Sequence, residues 1–414
     1  MSSPNVAVLD VGSSKVCCIV ARTHKDKSIE IIGCGYNASK GIRNGVITSI
    51  SDATFSVCNA IDAAEQNANE HINNVILNIS GDKTYSLLHK ASIKLKHNRQ
   101  INEADINKVM DVGLKGLPEN VGKDELIHCL LTNYKIDGGD EVKDPRNIYA
   151  DELSANMLLG MYPSAAFKNL SSVMEESHLS IDNKVFSAYA SGLACLVEDE
   201  REYGATVIDM GGGTTSIATF KGGYPIAFST LPVGGINITR DIALGLTTSF
   251  ENAENLKIRY GCAFEISKDE DEVLNVYPVG EEDDGSIRQV PRSELIEIIN
   301  ARVEEILAMV AHKLDALGLH DSPNHRIVLT GGGSLLYGIR PVAAMILNKQ
   351  VRISGPRNIG NVPDKLNNPI FSTALGMILF AMNNTERKSS KTMPNQNREG
   401  GFVTKIFNWI RQNS

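Results

Sequence analysis

No run of the sequence is apolar for long enough to span a membrane. The best, residues 370–382, falls short of the ~18–20 residues such a helix needs and carries Ser372 and Thr373. There is no excess of positive charge: 41 Lys and Arg stand against 49 Asp and Glu, a net −8. Binding to nucleic acid through phosphate contacts is therefore not expected. Cysteine is sparse, seven residues with no Cys-x-x-Cys. That gives neither a disulfide framework nor a zinc site and makes a reducing cytoplasm the expected home. No basic stretch precedes an apolar one near Met1, so no secretory leader is predicted. Two familiar phosphate-binding loops are also missing, Gly-x-x-x-x-Gly-Lys-Ser/Thr and Gly-x-Gly-x-x-Gly. Tryptophan occurs once, at Trp409.

What is present can bury a real core. The chain has 414 residues, 42% hydrophobic and 22% charged, which is room for about two to four domains and is not a disordered composition. Short apolar runs at 6–10, 15–21, 29–35 and 75–79 read as strands. Residues 50–69 place Ile50, Ala53, Val57, Ala60, Ile61 and Ala64 at helical spacing. From about 83 to 153 the texture changes: strand-like stretches (92–96, 125–135) flank one helix (103–114), the size of an inserted subdomain. A buried strand resumes at 157–159, and Ser164 is placed to N-cap a helix to about His178. Strands follow at 205–209 and 216–220. Residues 234–260 read as two helices broken near 245–249, and 268–284 as an acid-rich surface loop or hairpin. A long helix then has Pro291 in its first turn. Its buried face is Leu295, Ile298, Ile299, Val303, Ile306, Leu307, Val310 and Leu314. A strand at 326–329 leads through three glycines to another helix, and 383–400 has linker composition.

Three glycine turns carry the chemistry. Val8-Leu-Asp10-Val-Gly12 and Val207-Ile-Asp209-Met-Gly211 align without a gap. Each is an apolar strand, an Asp, one apolar residue and a glycine turn into a second strand, so both halves of the chain open with one hairpin. Glycines let backbone N–H groups approach a polyphosphate and point at it. An Asp at the strand end suits a hydrated Mg²⁺, and Lys15 can reach a phosphate as a point charge. The third turn, Thr330-Gly-Gly-Gly333, runs from strand to helix; its small residues would let the flat face of a nucleoside lie on backbone. A lone glycine triplet is more often a plain turn, and a lone strand-terminal Asp a cap. The combination is what predicts nucleotide binding.

This pattern resembles the actin, sugar-kinase and chaperone ATPase superfamily and, within it, the FtsA family of bacterial cell-division proteins. The resemblance covers nearly the whole chain and rests on Val207-Ile-Asp-Met-Gly-Gly-Gly-Thr214, Ile327-Val-Leu-Thr-Gly-Gly-Gly333, Ala253-Glu-Asn-Leu-Lys257, Phe371-Ser-Thr-Ala-Leu-Gly376 and the tail after a linker. It implies an α/β, actin-like two-lobed ATPase fold with an inserted FtsA-type subdomain and a C-terminal amphipathic helix. The first lobe would be 1–82 with 154–196 and 361–382, and the insertion 83–153. The second lobe's core would be 197–232 with 322–360 and its outer subdomain 233–321, followed by the linker 383–400 and the helix 401–414. It further implies ATP with Mg²⁺. Gly12, Ser13, Ser14 and Lys15 would form the first phosphate loop, Gly211, Gly212, Gly213 and Thr214 the second, and Gly331, Gly332 and Gly333 the adenosine loop. Asp10 and Asp209 would serve the metal. Glu254 and Lys257 would flank the ribose and base; taken alone they read as an ordinary i,i+3 ion pair. The superfamily's strong ATPases carry a Glu or Gln near the connecting helix or a second Asp in the second phosphate loop. Here the connecting helix has neither carboxylate nor carboxamide, and Ser216 follows Thr215, so slow hydrolysis at best is expected, with no catalytic residue assigned.

Residues 402–411 put Phe402, Val403, Ile406, Phe407, Trp409 and Ile410 within roughly one 160° arc at ~100° per residue. Thr404, Lys405, Asn408 and Arg411 take the other side. Aromatics opposite cations suit an interfacial membrane helix, with Lys405 and Arg411 meeting anionic headgroups at ~1 kcal/mol each. A terminal helix docked on its own core is the plainer reading, but a long polar tether argues against it. The resemblance implies a location on the cytoplasmic face of the inner membrane at the division septum. It also implies self-association into actin-like filaments, tethering of the FtsZ C-terminal tail near Arg302, and later division proteins at 83–153. Arg302 alone reads as a solvated helix residue. A sugar or small-metabolite kinase of the same superfamily is the alternative, though it would have no use for such a tail.

Overall fold

The computed structural model describes residues 5–24, 28–118, 121–264, 272–280, 287–319, 324–360 and 362–389. Both halves of the chain build the same sheet. In the first, the strands run in the order Ser180–Phe186, Asn74–Ile79, Asn5–Val11, Lys15–Thr23, Ile29–Ala38. In the second, the matching order is Val351–Ile353, Arg326–Thr330, Ala205–Met210, Thr215–Lys221, Tyr224–Leu231. In each, the first three strands pair in parallel and the last two join by antiparallel ladders, so one strand runs against the other four. The central strands are mainly apolar, as strands covered on both faces tend to be: Leu9, Leu77, Val207, Ile208, Val328 and Leu329 are fully buried.

Helix Ile50–Ala68 covers the first sheet. Two further helices meet between the sheets. The connecting helix, Ser187–Cys195, lies on the Ala205–Met210 and Thr215–Lys221 strands of the second sheet. The closing helix, Ser372–Ser389, lies on the Asn5–Val11 and Lys15–Thr23 strands of the first. They cross where Gly376 meets Ala190.

The insertion leaves the first half of the chain but extends the second half's sheet. Its strands Tyr85–Gln100, Tyr149–Tyr162, Glu125–Ile136 and Glu141–Val142 bring that sheet to nine. The seam is narrow, Ser229 opposite Tyr85. Ser86 Oγ reinforces it, accepting from Phe228 N–H at 2.8 Å and donating to Phe228 C=O at 3.1 Å. Helices Gly235–Gly245, Phe250–Tyr260 and Arg292–Ala316 and the hairpin Val273–Val276/Arg288–Pro291 share one core with the second sheet, through Ile208, Ile217, Ile327 and Leu329.

Several expectations change. The two stretches read at 92–96 and 157–159 are parts of long strands of 16 and 14 residues. Ser164 is not the N-cap: the helix is Ser164–Glu176, Pro163 precedes it without a side-chain cap, and Ser164 Oγ donates to Lys123 C=O instead. Pro291 ends a strand and stands just before the long helix rather than in its first turn. On that helix Ile296 is buried while Ile298 is only half-buried. The closing helix runs to Ser389, seven residues into the stretch read as linker from 383, because polar residues can continue a helix already anchored by its apolar start. The tail residues Phe402, Val403, Lys405, Ile406, Phe407, Trp409, Ile410 and Arg411, and positions 268–271 and 281–284 of the acid-rich stretch, lie outside the described residues.

One ion pair joins the short helix Glu198–Tyr203 to the strand Val351–Ile353. Arg352 donates through Nε (2.7 Å) and Nη2 (2.6 Å) to the buried Glu200 carboxylate, and through Nη2 to Cys195 C=O at 2.8 Å. Burial pushes the Glu200 carboxyl up, but Arg352 and the Val197 N–H outweigh it and hold it below the usual carboxylate value. Arg352→Met strands a buried charge and is expected to cost about 3–5 kcal/mol. A carboxyl lowered by folding contributes stability above its unfolded value of 4.5, which is lost as pH falls through its folded value. Urea midpoints between neutral pH and pH ~3 check both points: the gap between wild type and Arg352→Met should be widest at neutral pH and close on acidification.

Candidate functional site

A cavity of about 1230 Å³ opens between the two sheets, and the three glycine turns meet on it. The first two turns are copies at atomic detail. Asp10 stands opposite Cys17 and Asp209 opposite Ser216 in their hairpins. Gly12 N–H donates to Lys15 C=O at 3.0 Å, and Gly211 N–H to Thr214 C=O at 2.8 Å. The turns also touch: a Cβ at Gly212 would sit 2.6 Å from Ser14 Cβ. Gly12, Ser13, Ser14, Lys15, Gly211, Gly212, Thr214, Gly331, Gly332, Gly333, Glu254, Lys257, Asp10 and Asp209 all line the cavity. Gly213 is not among its lining residues; it backs onto Ser13, where a Cβ would lie 2.6 Å from Ser13 Oγ.

The electrostatics divide the cavity. Lys15 Nζ lies 3.0 Å from Asp10 Oδ2. Burial pulls the Lys15 ammonium down, but Asp10 more than offsets this, so its pKa is raised and the cation persists. Burial pushes the Asp209 carboxyl up, against the hydroxyls of Ser191 and Thr373, which favour its charged form. Lys257 Nζ pairs with Glu254 Oε2 at 2.7 Å and donates to Thr239 Oγ1 at 2.8 Å and Gly235 C=O at 3.2 Å. The ion-pair reading of these two residues and their place on the cavity wall therefore hold together. Among the described residues no three His, Cys, Asp or Glu converge. A cation between Asp10 and Asp209 would take most ligands from phosphate and water, which is the habit of Mg²⁺, and the donor set fits that ion. Arg302 lies away from the cavity: its guanidinium is held by Asp241, with Nη2 at 3.1 Å from Oδ1, and by Glu305.

Residues not singled out from sequence complete the site. Asn78 lies level with Asp10 on the neighbouring parallel strand. Its Oδ1 accepts from Val11 N–H at 2.6 Å, and its Nδ2 donates to Asp10 Oδ1 at 2.8 Å and Ser187 Oγ at 3.1 Å. Ser191 and Thr373 both donate to Asp209 Oδ2, Thr373 at 2.8 Å. Their one sequence signal is weak: polar residues inside otherwise apolar elements, which must find partners when buried.

Comparison with known proteins places this geometry. The model of a family described as Cell division protein FtsA matches residues 206–376, and that of an SHS2 domain inserted in FTSA matches 81–159. A Cell division protein FtsA of Rhizobium meliloti is 36% identical over 386 residues, 91% of this chain and 86% of its own. One from Neisseria meningitidis is 32% identical over 410 residues, 98% and 97% of the two chains. Among solved structures, MreB5 of Spiroplasma citri bound to ADP superposes with a TM-score of 0.54 at 13% identity, over 94% of this chain and 99% of that one. The PilM–PilN type IV pilus biogenesis complex does so at 0.62 and 14%, over 91% and 98%. The fold is thus the actin-like α/β ATPase fold with an SHS2 insertion.

Proposed function

The chain belongs to the FtsA family of cell-division proteins, and on that premise we propose that it is an ATP-binding, actin-like membrane adaptor of the division machinery. ATP with Mg²⁺ occupies the cavity between the sheets, its phosphates cradled by the turns at Gly12–Lys15 and Gly211–Thr214 and its nucleoside lying on Gly331–Gly333. A bound Mg²⁺ would offset phosphate charge; Asp10 and Asp209 would hold it, and Lys15 would add a fixed cation. The observation that carries this reading is that two copies of one Asp–glycine turn face a single cavity. A MreB5 of the same fold is described bound to AMPPNP, which supports the nucleotide reading.

Hydrolysis is slow in this proposal. The connecting helix carries neither carboxylate nor carboxamide, its polar groups being the hydroxyls of Ser187, Tyr189 and Ser191 and the Cys195 thiol. The nearest carboxamide, Asn78, has its oxygen committed to Val11 and its nitrogen to Asp10 and Ser187. Among the described residues lining the cavity there is no glutamine, and no carboxylate other than Asp10, Asp209 and Glu254, to orient an attacking water.

The segment 402–411 anchors the chain to the cytoplasmic face of the inner membrane at the septum. The chain self-assembles there, multiplying a weak single anchor, tethers FtsZ and presents 83–153 to later division proteins. An FtsZ tail at Arg302 would compete with Asp241 and Glu305, which already hold its guanidinium. The test images purified protein with ATP and FtsZ on vesicles rich in anionic lipid. Ordered filaments that recruit FtsZ are expected with the full chain, and none on lipid after deletion of 402–414. Pelleting of the truncated form with vesicles would remove the tail from the account.

A further inference from the structure

We propose that Ser191 and Thr373 are positioning residues for the metal–nucleotide site, fastening the Asp209 carboxylate to the crossing of the connecting and closing helices. This rests on the nucleotide reading above and goes beyond it by naming what sets the carboxylate's orientation. Asp209 belongs to the second sheet. Ser191 comes from the connecting helix and Thr373 from the start of the closing helix, which lies on the first sheet. Both hydroxyls are buried, Ser191 fully, and both reach the same oxygen, Asp209 Oδ2. Each hydroxyl has one proton. With the carboxylate charged, both protons go to Oδ2, and the 2.9 Å approach of the two oxygens to each other follows from sharing that acceptor. The other oxygen, Oδ1, is turned to Gly331, where a Cβ would come within 2.3 Å of it. The pair of donors therefore fixes which oxygen faces the third glycine turn.

The arrangement extends along the connecting helix. Ser187 precedes Ser191 by four residues, so the two hydroxyls share one helix face. Ser187 accepts from Asn78, which in turn holds Asp10. One helix face thus touches the supports of both aspartates. Asp10 and Asp209 would have to be held together to serve one ion, and a shift of the helix between them would displace both carboxylates at once. Oriented donors to a charged acceptor are worth roughly a tenfold effect or more each.

The test titrates Mg²⁺ against binding of a fluorescent ATP analogue, read by anisotropy, with a parallel titration in EDTA. Thr373→Val keeps the side-chain shape and removes the donor. It should raise the Mg²⁺ concentration at half-saturation about tenfold, a larger loss than in metal-free binding, and Thr373→Ser should restore it. Ser191→Ala, which retains the Thr373 donor, is the second variant should Thr373→Val fold poorly; it should move the midpoint the same way. An unmoved Mg²⁺ midpoint in Ser191→Ala overturns the proposal, as does an equal loss with and without metal. Absence of any binding by the wild-type chain overturns the nucleotide reading itself, and this inference with it.

Discussion

Gly376→Ala is expected to destabilise the protein by about 3 kcal/mol or more. On intrinsic preference the sign would be opposite, since Gly376 lies in the closing helix and Ala gains about 1 kcal/mol over Gly inside a helix. Packing decides. An added Cβ would stand 1.8 Å from the carbonyl oxygen of Ala190 and 2.3 Å from its carbon. That neighbour is backbone inside the connecting helix and cannot swing away as a long side chain could. The two helices must separate by more than an ångström, in an interior packed to crystal density. Urea unfolding measures the loss; Gly360→Ala, where no atom lies within 4 Å of the added Cβ, is the control and should stay within ~0.5 kcal/mol. The displaced helix also carries Ser187 and Ser191. A variant that still folds should therefore lose nucleotide affinity as well, without any change to a residue lining the cavity.

The same logic explains what was legible in the sequence. Asp10 and Asp209 could be read because their hairpin occurs twice, and a repeated local pattern reports a repeated local structure. The strands flanking them could be read because parallel strands covered on both faces tend to be mainly apolar. Asn78, Ser191 and Thr373 could not. Each is one polar residue in an apolar element, and what it holds is decided by a partner 68, 18 or 164 residues away. The seam between the insertion and the second sheet was hidden for a related reason: one ladder pair and a serine hydroxyl form it, and neither leaves a periodicity. Ser164 shows the limit of local rules. It is a good N-cap residue by type, yet a tertiary acceptor at Lys123 claims its hydroxyl.

Three adjacent glycines in the third turn should respond differently to one added methyl, and the differences separate structure from ligand. At Gly331 φ is +80°, a region that disfavours any Cβ. The methyl would also meet Asp209 Oδ1 at 2.3 Å and Met210 C=O at 2.7 Å. Gly331→Ala must push the carboxylate from its place, so nucleotide affinity should fall by a factor of about 100 or more, a backbone strain of ~1–3 kcal/mol adding to the lost contacts. At Gly333 the methyl meets Met210 Cβ at 2.9 Å and C=O at 3.0 Å, a smaller conflict with the same strand. Gly332 is open, its nearest neighbour being Ile370 Cγ1 at 3.8 Å. Gly332→Ala should leave the melting temperature of the nucleotide-free protein within a degree or two. If a nucleoside lies flat against this backbone, the same methyl occupies its space, and affinity for ATP and ADP should fall together by at least tenfold. Calorimetric titration of both nucleotides decides it. Unchanged affinity in Gly332→Ala, beside a large loss in Gly331→Ala, would mean the turn serves to seat Asp209 and not to receive a base.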